Sequence, residues 1–232
     1  MAVLIPHEEE EALVRAFFGN ASEGFFVEVG ANHPTINSQS WHLEQAGWSG
    51  VLVEPQPDLA AFLVSARKAK VFAVACSSPD KAGNPMPLHV AGPMSSREPK
   101  QMAAGAVAKY VIMVPVRTLD DILEEADAPT PIDLLSIDVE GHEMDVLRGF
   151  DFPFWQPRLI LVEDHVRNLQ THRYLQASGY RLLRRVGFNG WYVPDASPLR
   201  STRQERRDII RKYYLALPFR MLRNLSRRIR GK

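Results

Sequence analysis

Five short apolar runs in this 232-residue chain end in polar residues that chemistry can use. The ends read Glu28-Val29-Gly30-Ala31-Asn32, Glu54-Pro55, Ala75-Cys76-Ser77, Asp138-Val139-Glu140-Gly141-His142-Glu143 and Glu163-Asp164-His165. One carboxylate after an apolar run is ordinarily a helix cap or a solvated loop. A set of them on one rim is different, because desolvating that many acids is unfavourable unless cations are held there. Gly30 lets the backbone come close to a ligand at the first turn, and Glu54 can accept both hydroxyls of a ribose. Together they suit an adenosine-containing ligand. Neither GxGxxG nor GxxxxGK[ST] occurs, so a nucleoside without phosphates is favoured over NAD or ATP, and a nicotinamide oxidoreductase is the weakest rival. Asp138, Glu163 and Asp164 offer three hard oxygen ligands for Mg²⁺ or Mn²⁺. In the competing reading Asp138 orients the ligand, and Glu163 and Asp164 are a loop and a helix cap. His142 is the candidate general base, since imidazole titrates near neutral pH. Its rival role is a helix-start histidine bonded to backbone. His165 is second, Glu140 serves if buried, and His33 ranks lower. If His142 is the base, His142→Ala cuts turnover far more than ligand affinity.

The elements that must position these residues alternate along the chain. An amphipathic helix over Glu8–Phe18 precedes strands at Phe25–Val29, Val51–Val53 and Lys70–Ala75, with helices near 41–46 and over Pro57–Ala66 between them. Residues 77–109, rich in Gly, Pro and Ser, read as an insertion or lid with one strand at Met86–Val90. Then come a strand at Val111–Val116, a helix at Leu119–Ala126, a strand at Ile132–Ile137, a helix at Glu143–Arg148, a strand at Leu159–Val162 and a helix near Leu169–Ala177. Strands Tyr180–Val186 and Gly190–Val193 close the domain as a hairpin around Gly187-Phe188-Asn189-Gly190. This order predicts an α/β domain over residues 1–199. Its mainly parallel sheet has helices on both faces, one antiparallel strand near an edge, and ligands beyond the C-terminal strand ends.

Composition narrows the class. With 45% hydrophobic residues, 11 Phe and 4 Trp, the chain is neither disordered nor low in complexity. Cys76 is the sole cysteine, so no intrachain disulfide or CxxC zinc knuckle can form, and a reducing cytoplasm is the expected setting. The early run Glu8-Glu9-Glu10-Glu11 argues against a signal peptide, and no apolar run has the length of a membrane span. The net charge of +1 hides an asymmetry: residues 200–232 carry 12 Lys/Arg against 2 Asp/Glu, and the preceding residues carry 16 against 25. Helical spacing of Ile210, Tyr213, Tyr214 and Leu217, resuming at Met221, Leu222, Leu225 and Ile229, makes this tail a basic amphipathic helix. It is expected to bind an anionic membrane surface. Nucleic acid is not expected, because the acidic body repels a duplex and no recognition motif occurs. The competing reading docks the tail on the acidic body or on a partner subunit of a homo-oligomer.

Four segments in order, Phe26-Val27-Glu28-Val29-Gly30-Ala31-Asn32, Val51-Leu52-Val53-Glu54-Pro55, Val116-Arg117-Thr118-Leu119-Asp120-Asp121 and Ile137-Asp138-Val139-Glu140-Gly141-His142-Glu143, resemble the FkbM family of S-adenosylmethionine-dependent methyltransferases. The resemblance implies a seven-stranded, Rossmann-like class I methyltransferase sheet. It also implies that Glu28, Gly30 and Asn32 line the methionine end of the cofactor, Glu54-Pro55 the ribose and Cys76 the adenine, with Asp138 beside them. His33-Pro34 departs from the family, which often has a glycine there. Acids at the ends of the fourth and fifth core strands are similar to those of metal-dependent catechol and macrolide-sugar O-methyltransferases, where a cation lowers the pKa of the acceptor hydroxyl. The expected acceptor is a sugar hydroxyl on a glycan or glycolipid precursor, handled at the inner membrane face. The alternatives are a soluble secondary metabolite, or a non-catalytic module that kept the fold.

Overall fold

The computed structural model describes residues 7–90, 110–166, 169–216 and Phe219. Most strands are apolar on both faces, as strands covered by helices on both sides must be. β1 (Phe25–Val29), β2 (Ser49–Val53), β3 (Lys70–Phe72), β8 (Leu134–Ile137) and β9 (Leu159–Glu163) run parallel. With β10 (Tyr180–Val186) and β11 (Asn189–Pro194) they form a seven-stranded sheet of order β10-β11-β9-β8-β1-β2-β3. β11 is antiparallel to both its neighbours, which gives the mainly parallel sheet and closing hairpin that the residue pattern predicts. The strand order reverses between β1 and β8.

The two faces carry separate cores. Val27, Val51, Leu135 and Ile160 pack on one face with Ile122 of α4 (Leu119–Glu125), Leu147 of α5 (Glu143–Arg148), Trp155 of α6 (Phe152–Trp155) and Leu175 of α7 (Gln170–Ala177). Phe26, Leu52, Leu134 and Leu161 pack on the other with Val14 of α1 (His7–Phe17), Leu43 of α2 (Trp41–Gln45) and Leu63 of α3 (Pro57–Ala66). Local signals start several helices: Pro57 opens α3, and Thr118 with Asp121 forms a capping box on α4. The Val116–Asp121 motif is thus an architectural one. Asp120 beside it accepts hydrogen bonds from Trp155 Nε1 (2.8 Å) and the Asp151 N–H (2.9 Å).

The structure departs from the expected elements at four places. The strand Lys70–Ala75 breaks after Phe72, and β4 (Ala75–Cys76) leaves the main sheet to pair with β7 (Val116–Arg117). The expected strand Val111–Val116 also divides, into β6 (Tyr110–Val114) and β7, separated by Pro115, which has no N–H to give a ladder. β6 pairs with β5 (Met86–Val90) over a small core of Met86, Leu88, Val90 and Val114. The hairpin turn is Gly187-Phe188, with Gly187 at φ +53°, and Asn189 already belongs to β11. α6 was not anticipated, since four residues are too few to set up a helical period.

The expected lid falls largely on residues 91–109, outside the described residues. The tail begins as α8 (Arg203–Ile209) and continues as a π-helical turn over Ile210–Leu215. Tyr213, placed by its spacing on the apolar face of the tail helix, is fully buried in the main core, as the competing reading of a helix docked on the body has it. Among the described residues no helix is long and apolar enough to cross a membrane.

Candidate active site

Side chains alternate between faces along a strand, and this parity decides which acids meet. Glu28 follows the parity of Phe26, Glu54 that of Leu52, Asp138 that of Leu134, and Glu163 that of Leu161, so all four lie on the face covered by α1, α2 and α3. Asp164 has the opposite parity. It caps the turn through the Val166 N–H, and its backbone carbonyl accepts a hydrogen bond from Arg185. The expected trio of Asp138, Glu163 and Asp164 is therefore corrected: the acids that converge are Asp138, Glu140 and Glu163, with carboxylate oxygens within 4.8 Å of one another. Glu140 joins them because Glu140 and Gly141 both take left-handed backbone, φ +53° and +98°, which turns the chain sharply after β8.

Two adjoining cavities open at the ends of β1, β2 and β8. The narrower is lined by Gly30, Asn32, Glu54, Pro55, Gln56, Val74, Ala75, Cys76, Leu88, Val139 and His142. Glu54 is held rigidly there: Oε2 accepts the Asn32 N–H (2.9 Å) and Oε1 the Gln56 N–H (2.9 Å). The Gln56 side chain is a third donor to this carboxylate, which still has lone-pair capacity for a ligand. Burial raises the Glu54 carboxyl above its usual range, against the lowering by those two backbone bonds. Cys76 is buried, and desolvation pushes its thiol up, so it is an apolar wall and not a nucleophile. Gly30 is constrained by the protein itself: at φ +85°, a Cβ would lie 1.8 Å from the Asp138 carbonyl oxygen. The sequence reading gave this glycine to a ligand; the neighbouring strand end requires it first.

The wider cavity, about 660 Å³, shares Gly30, Asn32, Gln56, Asp138 and Glu140 with the first and adds Glu28, His33, Ile36, Asn37, Leu59 and Tyr110. Glu28 is 5% exposed, and its oxygens accept bonds from Ser38 Oγ (2.9 Å), the Gln39 N–H (2.8 Å) and Ser40 Oγ. Its first task is to hold the 38–40 loop. Arg67 backs that loop, donating to Ser40 Oγ (2.9 Å), Ser38 Oγ (3.2 Å), the Pro34 carbonyl (2.9 Å) and Glu44 (3.1 Å). Glu10 of α1 accepts from Gln39, Asn189 and Trp191 and ties the same loop to the closing hairpin. His33 turns its Nδ1 on the backbone N–H groups of Thr35 and Ile36.

Crowded acids hold protons. Asp138 is open to the cavity water yet surrounded by protein, and its carboxyl is raised well above its usual range by desolvation, then by Glu163 and Glu28. Glu163 is raised by burial and by Glu140 and Glu143. The Asp138–Glu163 hydrogen bond raises the first and lowers the second, so Asp138 is the partner that keeps a shared proton. Glu143 is pushed up to about 7, chiefly by burial. Of the two candidate bases, His142 lines the narrow cavity, 3.6 Å from Asp145. His165 stands 43% exposed, 3.6 Å from Glu163 and edge-on to Phe188. Neither lines the wider cavity.

Sequence reasoning did not anticipate roles for Gln56, Ser38, Ser40 and Arg67 or the wider cavity's apolar wall. Apart from Gln56, two residues from Glu54, their roles come from contacts distant in sequence, for which a local pattern carries no signal.

The family described as the methyltransferase FkbM domain matches residues 28–182, more than half of the chain. A curated relative from Beauveria bassiana (strain ARSEF 2860), named Methyltransferase 1, is 38% identical over 92 residues, covering 37% of this chain and 35% of that protein. The chain therefore spans about a third of that relative's length in the match.

Proposed function

The chain belongs to the FkbM methyltransferase family, and from that premise we propose that it transfers the methyl group of S-adenosylmethionine to a sugar hydroxyl of a glycan or glycolipid precursor. The observation that carries the cofactor reading is the Glu54 cradle: a buried carboxylate fixed by two backbone N–H groups, in a cavity with apolar lining from Val53, Val74, Ala75 and Cys76. The donor set fits the group. Glu54 would take the ribose hydroxyls, the apolar lining would take the adenine, and the Glu28, Gly30 and Asn32 end would face the amino-acid portion.

When bound, S-adenosylmethionine supplies an electrophilic methyl group on a sulfonium. The chain's own part is to orient the acceptor and take its proton. Asp138 and Glu140 lie where the two cavities join, so an acceptor hydroxyl reaching the junction meets the Glu140 carboxylate, which can receive its proton, beside Asp138, which already holds one. A divalent cation, Mg²⁺ or Mn²⁺, is proposed at Asp138, Glu140 and Glu163, where crowded negative charge and hard oxygen donors favour it; it would make the hydroxyl more acidic. The glycolipid part of the reading rests on the tail, whose exposed Ile210, Tyr214, Leu215 and Phe219 sit among Arg206, Arg207 and Arg211.

Calorimetric titration with S-adenosylhomocysteine tests the cofactor reading. Binding that Glu54→Gln weakens about tenfold to a hundredfold is expected, as for losing charge-assisted hydrogen bonds. No binding by folded protein would defeat it.

A further inference from the structure

The wider cavity also carries information about the acceptor. Exposed apolar side chains scattered singly are ordinary, but two meet here, Ile36 and Tyr110, 63% and 51% exposed, backed by the half-buried Leu59 and the buried Val90. They come from three separate elements, the loop after β1, helix α3 and the β5–β6 hairpin. Such a wall gains by being covered, and a sugar ring has an apolar face that aromatic side chains cover well. The polar part of the lining is mainly acidic and amide in character: Asp58 at the start of α3, Glu28, Asp138 and Glu140 near the strand ends, and Asn37 and Gln39, with Ser136 and the imidazole of His33, whose Nδ1 is taken by the Thr35 and Ile36 N–H groups. A carboxylate or phosphate in this space meets like charge in a partly desolvated setting, whereas a hydroxyl or an ammonium finds acceptors.

Resting on the methyltransferase reading above, we infer that the 660 Å³ cavity is the acceptor site and selects an uncharged or amino-bearing glycoside against sugars that carry phosphate or carboxylate. The apolar ring face lies on Tyr110 and Ile36, and the reacting hydroxyl points toward the junction at Asp138 and Glu140. A nucleotide-linked or phosphorylated sugar is excluded as acceptor, so the methylated hydroxyl belongs to a sugar already transferred to a neutral aglycone.

The test uses the full chain saturated with S-adenosylhomocysteine, with and without Mg²⁺. Affinities are compared by NMR titration for a methyl hexoside, its 2-amino counterpart, the hexose 1-phosphate and the hexuronate. The neutral and amino glycosides are expected to bind at least tenfold more tightly than the two anions. Tyr110→Ala should weaken the methyl hexoside about threefold to tenfold, the usual range for losing one aromatic contact. Tyr110→Phe should keep that affinity, and both variants should leave S-adenosylhomocysteine affinity unchanged. An anion that binds as tightly as the neutral glycoside, with or without Mg²⁺, overturns the inference. So does absence of any glycoside binding to the loaded protein, or a Tyr110→Ala variant that binds glycoside normally. Glycoside binding without S-adenosylhomocysteine binding would instead overturn the parent reading, and with it the assignment of the cavity as an acceptor site.

Discussion

At Glu54 burial and hydrogen bonding pull in opposite directions, and burial prevails. If the ionised form accepts the ribose hydroxyls, as proposed, ligand affinity is complete above the raised pKa and is lost as pH falls through it. Affinity for S-adenosylhomocysteine should therefore decline at a higher pH than an ordinary exposed carboxylate would dictate, and Glu54→Gln should bind weakly without that decline. Calorimetry across the mildly acidic range reads both. His142 lines the narrow cavity proposed for the cofactor, beside Asp145, so His142→Ala should weaken S-adenosylhomocysteine binding severalfold, the reverse of what its neutral-range imidazole suggested. Unchanged affinity would return it to the role of base. The carboxylates themselves were legible in sequence, and the trio was misjudged at one position. Parity along Leu161-Val162-Glu163-Asp164 already separates the last two residues, but a strand end gives no local sign of where alternation stops.

Among the elements, the parallel strands were readable because each is a short apolar run bounded by turn residues. β3 and β4 were not, since Lys70–Ala75 reads as one strand and only the distant Pro115 and Val116 show where it divides. The tail misled for a related reason: helical spacing reports an apolar face without saying what covers it. In the fold, Tyr213 fills the core, its hydroxyl accepts from Arg185 (3.1 Å), and Tyr214 meets His172 Nε2 (3.2 Å). Desolvation pushes the His172 imidazole down, so it sits neutral between Tyr192 and Tyr214. Tyr213→Ala should cost about 3–5 kcal/mol of stability, as for other large aromatic truncations, and Tyr213→Phe about 1 kcal/mol for the hydrogen bond alone. Denaturant unfolding separates the two; an alanine variant as stable as the parent would mean that the tail is not part of the core.

Over the whole molecule, charge is divided between an acidic body and residues 200–232, with 12 basic and 2 acidic side chains. Arg184 with Glu205 (3.1 Å) and Arg185 with Tyr213 join the described part of the tail, residues 200–216, to the body. Association with anionic vesicles should exceed that with neutral vesicles and fall with salt, as sedimentation would show; equal binding to both would remove the membrane reading. The family, the sheet order and the cofactor cavity rest on different observations that meet at the ends of β1, β2 and β8. The most direct single measurement is a crystal structure with S-adenosylhomocysteine. The account predicts ribose hydroxyls on Glu54, adenine between Val74 and Leu88 beside Cys76, and the sulfur directed at the junction of Asp138 and Glu140. A ligand bound elsewhere, or turned so that its sulfur faces away from the wider cavity, would contradict it.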